Sequence, residues 1–428
     1  MARRYLFGPV TPPFAEQCLN LVRKEGACLA FDADGKTDLA IGAADSWGQV
    51  CGRFPAGWQP DFIALWLPYT STACLWSAPV PVVGLALDWP LLWHYYRRRL
   101  RSCDLTFIDP PGAEALAAEG ISHVRPANLY GCDRAFLDLL PNDGAVNNLE
   151  VAGPRQADAA TARDIDVLCV GNMNPAVQRQ RLPWLMRLAR LGKRWRVAIH
   201  AGVFGDSYRK LLSRARIVFN QVAQPRCSRR VFEAAAAGAL LFEDAANPAT
   251  AAYFGDRQEC VYYNADNLEA LLEHYLAHES ERQALAEAGR KRACDFTFEA
   301  YWEGIVNEIE EEWPALLRRA RRRRLPGKRE DLLLRSWQAL SAPLRADPAL
   351  TRDLEKALAA EPESHALRHA LGLTLSRAQA DASAAAALAA VAAGHFQQAV
   401  AGRPENLIAR LNLVEALHAA GQKEAAIE

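Results

Sequence analysis

The sequence predicts an α/β protein: two successive doubly wound domains, then an all-helical C-terminal segment. Three observations lead there. Short apolar runs rich in Val, Ile, Leu and Phe recur through residues 5–264, each too short for an independent helix. Amphipathic stretches separate them, so strand and helix alternate as in parallel sheets covered by helices. From about Glu330 the strand signal stops and the composition turns to Ala and Leu.

At 428 residues the chain is long enough for two or three domains, and half its residues are apolar, which sets it among globular chains. The formal net charge of zero argues against nucleic acid as a partner, since phosphate binding normally needs a basic excess. Ten cysteines form no C-x-x-C pair, and most sit in apolar runs as small hydrophobes. That usage fits a reducing cytoplasm better than a disulfide framework. The N-terminal MARRYLFGPVTPP lacks the apolar core of a signal peptide. Phe62 to Leu87 is uncharged and long enough to span a bilayer, but it holds Pro68, Pro79, Pro81 and several Ser and Thr. It reads as two buried strands around a loop, and no transmembrane segment is expected.

Taken in order, the first domain (1–150) offers strands at 5–10, 27–32, 61–68, 81–88 and 105–110, with helices near Pro90–Arg101 and Gly112–Glu119. A polar bridge from Asn142 to Arg163 reads as an interdomain linker. The second domain (160–313) repeats the alternation, with strands at 164–171, 196–202, 216–221, 239–245 and 260–264. Three helices close it, around 266–277, 279–294 and 298–313. A charged linker (314–330) follows, carrying RRARRRR at 318–324 beside the acidic EIEEE at 308–312. It reads as a solvated helix face; the alternative is a patch for an anionic membrane or an acidic partner.

Residues 331–428 contain two echoing segments, AAEPESHALRHALGLTL (359–375) and AGRPENLIARLNLVEAL (401–417). They resemble the tetratricopeptide repeat, with an insertion assigned to the Ala-rich run 380–394. Such repeats bind peptides or proteins along a concave face, so a protein acceptor or partner is expected there.

Open α/β sheets bind ligands beyond the carboxyl ends of their strands, where helix N-termini accept phosphate. Two such domains in tandem suit a donor held by one and an acceptor presented by the other, across a cleft.

A family resemblance sharpens this. Residues 164–307 carry RVFEAAAAG before a strand, a YYNADNL turn and AEAGRKR before the last helix. In this order they resemble the C-terminal domain of GT-B glycosyltransferases, nearest the CgeB-like, family-1-like subgroup. The N-terminal half resembles the same subgroup through WQPDFIALW, PVPVVGLALDW and RSCDLTFIDPPGAEALAAEG. The resemblance implies a GT-B fold, a nucleotide-sugar donor as substrate, no cofactor and no bound metal.

By that resemblance Glu233 matches the carboxylate that bonds the nucleotide's ribose hydroxyls, a natural acceptor for a vicinal diol. Ser228, Arg229 and Arg230 open the same helix, where free amides and guanidinia together would meet the diphosphate. An amphipathic helix with exposed Arg would give the same local pattern. Gly171 and Asn172 follow the first strand of the second domain, where a glycine turn lets backbone approach a ligand. Tyr208 and Asn220 lie on the expected base-binding side. One departure is clear: many retaining members carry a second Glu eight positions before the one matching Glu233, and Pro225 stands there.

For catalysis the first domain offers Asp32, Asp88 and Asp109 at strand ends. Asp88 is preferred as the base that takes the acceptor's proton, with His94 in the next helix, although Asp also caps helices. The pairs His274/His278 and His365/His369 have helical spacing but no third ligand, so no metal site is expected. Two alternatives stay open: a nucleotide-sugar epimerase on the same fold, and a catalytically silent scaffold whose repeats do the binding.

Overall fold

The computed structural model describes residues 3–10, 26–42, 45–67, 70, 72–137, 163–171, 173, 179–222, 227–323, 326–337, 348–378 and 381–426. The chain divides into two compact units, one of Met1–Pro12, Leu19–Ala127 and Ile305–Glu428, the other of Pro13–Cys18 and Asn128–Gly304. Two parallel sheets with helices and an all-helical C-terminal region appear, as the alternation predicts.

In the first unit, β1 (Tyr5–Gly8), β2 (Cys28–Asp32), β3 (Leu39–Ala40), β4 (Phe62–Leu67), β5 (Val82–Ala86), β6 (Leu105–Ile108) and β7 (Val124–Pro126) form one sheet. Its order is β3-β2-β1-β4-β5-β6-β7, parallel throughout. β4 and β5 are buried at every residue, which explains the uncharged run through 62–87: both faces meet side chains rather than water. Strands β3 and β7 were not expected from the sequence, being only two and three residues long with no readable periodicity. The helices of this part are α1 (Trp47–Cys51), α2 (Ala73–Trp76), α3 (Trp89–Arg99) and α4 (Pro110–Ala118).

In the second unit, β8 (Ile165–Val170), β9 (Val197–His200), β10 (Ala215–Phe219), β11 (Leu240–Asp244) and β12 (Val261–Tyr263) pair in the order β12-β11-β10-β8-β9, again parallel. The helices α5 (Leu182–Leu191), α6 (Gly205–Ser213), α7 (Arg229–Ala236), α8 (Leu268–Ala277) and α9 (Glu279–Ala293) cover it. Helix α7 carries Val231, Phe232, Glu233, Ala234, Ala235 and Ala236 fully or nearly buried. The small alanines let α9 approach, and a Cβ on its Gly289 would fall 2.5 Å from the Glu259 carbonyl oxygen. The glycine of the AEAGRKR segment is therefore a requirement of close backbone packing. The polar bridge 142–162 lies outside the described residues.

Helix α10 (Phe298–Glu311) carries the chain back into the first unit, and α11 (Trp313–Arg322) follows. There Arg3 bonds Glu310 at 2.8 Å and lies 3.7 Å over the Trp313 ring, while Arg125 pairs with Glu308 and Glu312. The 318–324 run departs from a uniformly solvated face: Arg319 pairs with Glu312 at 2.8 Å, and Arg323 turns inward and ion-pairs with the buried Asp104 at 2.5 Å. Glycine and proline at 326–327 lie beyond that anchor.

The last helices among the described residues are α12 (Lys328–Trp337), α13 (Pro348–Ala360), α14 (His365–Ser376), α15 (Ala382–Gly402) and α16 (Leu407–Ala419). The two echoing segments both become helix starts, with Ser364 capping Leu367 and Asn406 capping Ala409 through side-chain oxygens. The Ala-rich insertion becomes most of α15, a helix of 21 residues. Among the described helices α15 alone is long and apolar enough to cross a membrane, but Ala389, Ala392, Ala393, Phe396 and Ala399 on it are buried within the unit. Leu334, Trp337, Leu373, Phe396 and Leu417 share one core with Leu92, Tyr95 and Tyr96 of α3. Trp337 stacks on Tyr95 at 5.0 Å between ring centroids, so the helical segment is built onto the first sheet's cover helix.

Candidate active site

In the second unit, β8 leads to β9 on one side and β10 returns on the other, so the loops leaving β8 and β10 diverge. The carboxyl ends of those two strands are the expected binding crevice of a doubly wound sheet. The chemistry-bearing side chains of the unit gather there.

Gly171 ends β8. A Cβ at that position would lie 2.8 Å from Nη2 of Arg230 and 2.9 Å from Nη1 of Arg181. The glycine thus lets two guanidinia lie against the backbone at the strand's end. Arg181 is buried and donates from Nη2 to the Gln221 carbonyl at 2.5 Å. Arg230 donates from Nη1 to Oδ1 of Asn220 at 2.8 Å, and among the described residues no carboxylate forms an ion pair with it. Its Nε is buried and has no partner among the described residues. A neutral amide thus helps to position the guanidinium.

Asn220 stands just past β10, fully buried, and organises the floor of the site. Its Nδ2 donates to Oε2 of Glu243 at 2.7 Å and to Oγ of Ser228 at 3.2 Å. Asn247 donates to the other Glu243 oxygen at 3.0 Å. Glu243 sits on β11 with no exposed surface, and burial pushes its carboxyl up to about 7 against the two amide hydrogen bonds that pull it down. Ser228 occupies the N-cap of α7 without capping it through its side chain. The start of α7 thus has no side-chain cap beside Arg230, and a helix N-terminus without one suits an anion.

Glu233 lies one turn into α7 and is 3 % exposed. Oε2 accepts a hydrogen bond from the Tyr208 hydroxyl at 3.0 Å, and Oε1 lies 3.7 Å from Nε of Arg229. Burial raises its carboxyl above the usual range, with Arg229 and the tyrosine opposing. Tyr208, on α6, is buried beside Phe136, and burial holds its phenol well above the ordinary value.

Gly171, Tyr208, Asn220, Ser228, Arg229, Arg230 and Glu233 are therefore joined through direct contacts or one intermediary. Asn172 and Pro225 lie outside the described residues. Arg181, Gln221, Glu243 and Asn247 were missed. Glu243 did leave a signal, as a carboxylate inside the apolar strand run LLFED. Arg181 left only its place before Leu182-Pro183, a helix start.

The two catalytic candidates belong to the first unit. Asp88 follows β5 at the N-cap of α3 with φ 53°, the left-handed region that a non-glycine residue rarely adopts. It makes no side-chain cap hydrogen bond. Asp32 accepts from the Asp34 and Lys36 amides at 2.6 and 3.2 Å, and Asp109 caps α4 through the Gly112 amide at 2.9 Å. His94, on α3, lines a pocket together with the C-terminal helices.

Residues 155–307 match a family model described as glycosyl transferase-like. The comparison with curated proteins found no match. Among solved structures, Anabaena Alr3699/HepE in complex with UDP-glucose is similar at 15 % identity, covering 72 % of this chain and 100 % of that one, with a TM-score of 0.47. A glycosyltransferase from Rickettsia africae ESF-5 is similar at 10 % identity over 72 % of this chain and 98 % of that one, TM-score 0.48. A putative UDP-N-acetylglucosamine 2-epimerase from Listeria monocytogenes is similar at 13 % identity over 73 % and 97 %, TM-score 0.42.

Proposed function

We propose that the protein is a glycosyltransferase that moves a sugar from a nucleotide-sugar to an acceptor. The observation that carries this reading is the approach of Arg181 and Arg230 to Gly171, beside the open N-terminus of α7 and one turn before Glu233. This constellation lies inside the segment that matches the glycosyl transferase-like family model. Guanidinia and helix amides neutralise a diphosphate, and Glu233 accepts hydrogen bonds from the ribose diol once Tyr208 yields. In this reading the arginines supply the charge neutralisation that a metal ion supplies elsewhere.

On the acceptor side, Asp88 takes the proton of the attacking hydroxyl as the new glycosidic bond forms and the nucleoside diphosphate leaves. Its left-handed backbone at the N-cap of α3 supports the role, since unusual conformations of this kind gather at functional positions. The paired helix starts at His365 and Leu407 support a tetratricopeptide-like reading of the C-terminal helices, and with it a protein acceptor.

Thermal-shift titration with UDP, GDP, dTDP and CMP tests the donor half. One nucleotide is expected to raise the melting temperature of the wild type selectively, as any ligand of the native state must. Glu233→Ala and Arg230→Ala are each expected to weaken that binding about tenfold or more. No shift with any nucleotide at millimolar concentration would turn the reading toward the silent scaffold. Asp88→Asn is expected to lower kcat by about 10²–10⁴ while leaving nucleotide binding unchanged. Product analysis without an acceptor separates transfer from epimerisation.

A further inference from the structure

A second polar pocket lies wholly within the first unit, where α3 meets the C-terminal helices. It has a volume of about 170 Å³, below the ~300–1,000 Å³ of pockets for drug-sized ligands. His94, Arg97, Arg98, His365, His369, Arg403 and Asn406 supply its polar lining, with Leu333, Trp337 and Ala366 as its apolar wall. Every ionisable side chain in that lining is basic.

Two helices point their N-terminal ends at this space. His365 and Ala366 are the first two residues of α14, and Asn406 is the N-cap of α16. The partial positive charge of both helix ends adds to the side chains. One imidazole is also unsatisfied: Nε2 of His94 is buried with no hydrogen-bond partner among the described residues. Buried polar atoms of this kind normally have a partner, whether protein, water or ligand.

We propose that this pocket binds a phosphate group, free or carried on a small metabolite. The arginines present fixed forks that match tetrahedral oxyanions, His94 supplies a donor when protonated, and the helix ends orient further positive charge. The cavity has room for the phosphate and little more, which excludes a nucleotide-sugar as its occupant.

The charges around His94 set the pH response. Arg97, Arg403 and His365 oppose its protonation and Glu405 favours it, with burial the largest effect, so its basicity is lowered. His365 is lowered as well, by burial first and then by Arg403 and Arg98. His369 is held at about 3 by burial and stays neutral, accepting or donating through Nε2 to Asn412 at 3.0 Å. Three carboxylates pair with the arginines from positions that do not line the pocket: Glu119 with Arg97 at 3.4 Å, Glu330 with Arg98 at 2.7 Å and Glu405 with Arg403 at 3.2 Å. An entering dianion takes over part of that pairing and draws protons onto His94 and His365.

Isothermal titration of the full chain with inorganic phosphate, glycerol phosphate and sodium chloride at matched ionic strength tests the proposal. Saturable binding of phosphate but not chloride is expected, and the stronger of the two phosphate ligands identifies the source. Sulfate keeps its double charge between pH 5.5 and pH 8, so it isolates the protein's titration. Its affinity is expected to fall about tenfold or more over that range as the histidines lose their charge. Arg97 and Arg403 are partly exposed, and the double variant Arg97→Gln/Arg403→Gln is expected to keep the fold and lose binding about tenfold or more. Should that variant melt early, the His94 ring resonance of the wild type, assigned with His94→Gln, is followed instead. It is expected to titrate at higher pH with phosphate present. Equal response to chloride, unchanged binding in a folded double variant, or a His94 resonance indifferent to phosphate would each overturn the proposal.

Discussion

Arg323→Ala is expected to destabilise the first unit by about 3–5 kcal/mol. All five of its N–H donors have acceptors. Nε bonds Oδ1 of Asp104 at 3.2 Å, Nη1 bonds the Trp76 and Ala78 carbonyls at 3.0 and 3.1 Å, and Nη2 bonds the Val80 carbonyl at 2.7 Å and Oδ2 of Asp104 at 2.5 Å. The side chains are 7 % and 2 % exposed. Removing the guanidinium strips three carbonyls of their donor and leaves Asp104 charged and buried, held among the described residues by the Val82 amide at 2.7 Å. Chemical denaturation checks this, and a fall in melting temperature on the order of 10 °C should accompany it. Arg323→Lys is expected to recover only part of the loss, because an ammonium cannot reproduce the planar fork. Neutralising both partners, Arg323→Met with Asp104→Asn, should cost less than the single alanine change, since the unpaired charge is then gone.

Glu243 governs the second prediction. Its carboxyl is pushed from an ordinary value of 4.5 to about 7 by burial. A raised acid binds more protons in the native state than in the unfolded one between those two values. Stability from this group is therefore fully present below about pH 4.5 and is lost as pH rises through about 7. At about 1.4 kcal/mol for each tenfold change in proton affinity, the move from 4.5 to about 7 amounts to about 3–4 kcal/mol. Glu243→Gln, which keeps the shape without the charge, is expected to flatten the stability profile between pH 5 and pH 8. Urea midpoints at several pH values decide it, and an unchanged slope in the variant would refute the assignment. Because Asn220 links Glu243 to Arg230, the same variant reports whether the floor of the site holds the arginine in place.

Much of the fold was legible because burial leaves a period in the sequence. Runs such as FIALWL and VVGLA, apolar at every position, can only be strands covered on both faces, and both are. The candidate donor site was legible where local chemistry is concentrated: Ser228, Arg229, Arg230 and Glu233 fall within six consecutive positions at the start of one helix. Arg181 and Asn247 were not, because each gains meaning only from a partner on another element.

By itself, then, the amino-acid sequence determined the succession of strands and helices, the split into two parallel sheets and a helical end, and the helix that carries the proposed donor-site cluster. These follow from local periodicity and short-range capping, which a neighbouring stretch of chain expresses wherever it packs. Only the tertiary structure decided that Arg323 is an anchor and not a solvated charge, that Glu243 lies under the site, and that α14 and α16 close a basic pocket over α3. Arg323 and Asp104 stand 219 residues apart. Periodicity reports which face of an element is buried, but the partner that buries it is chosen by packing across the whole chain.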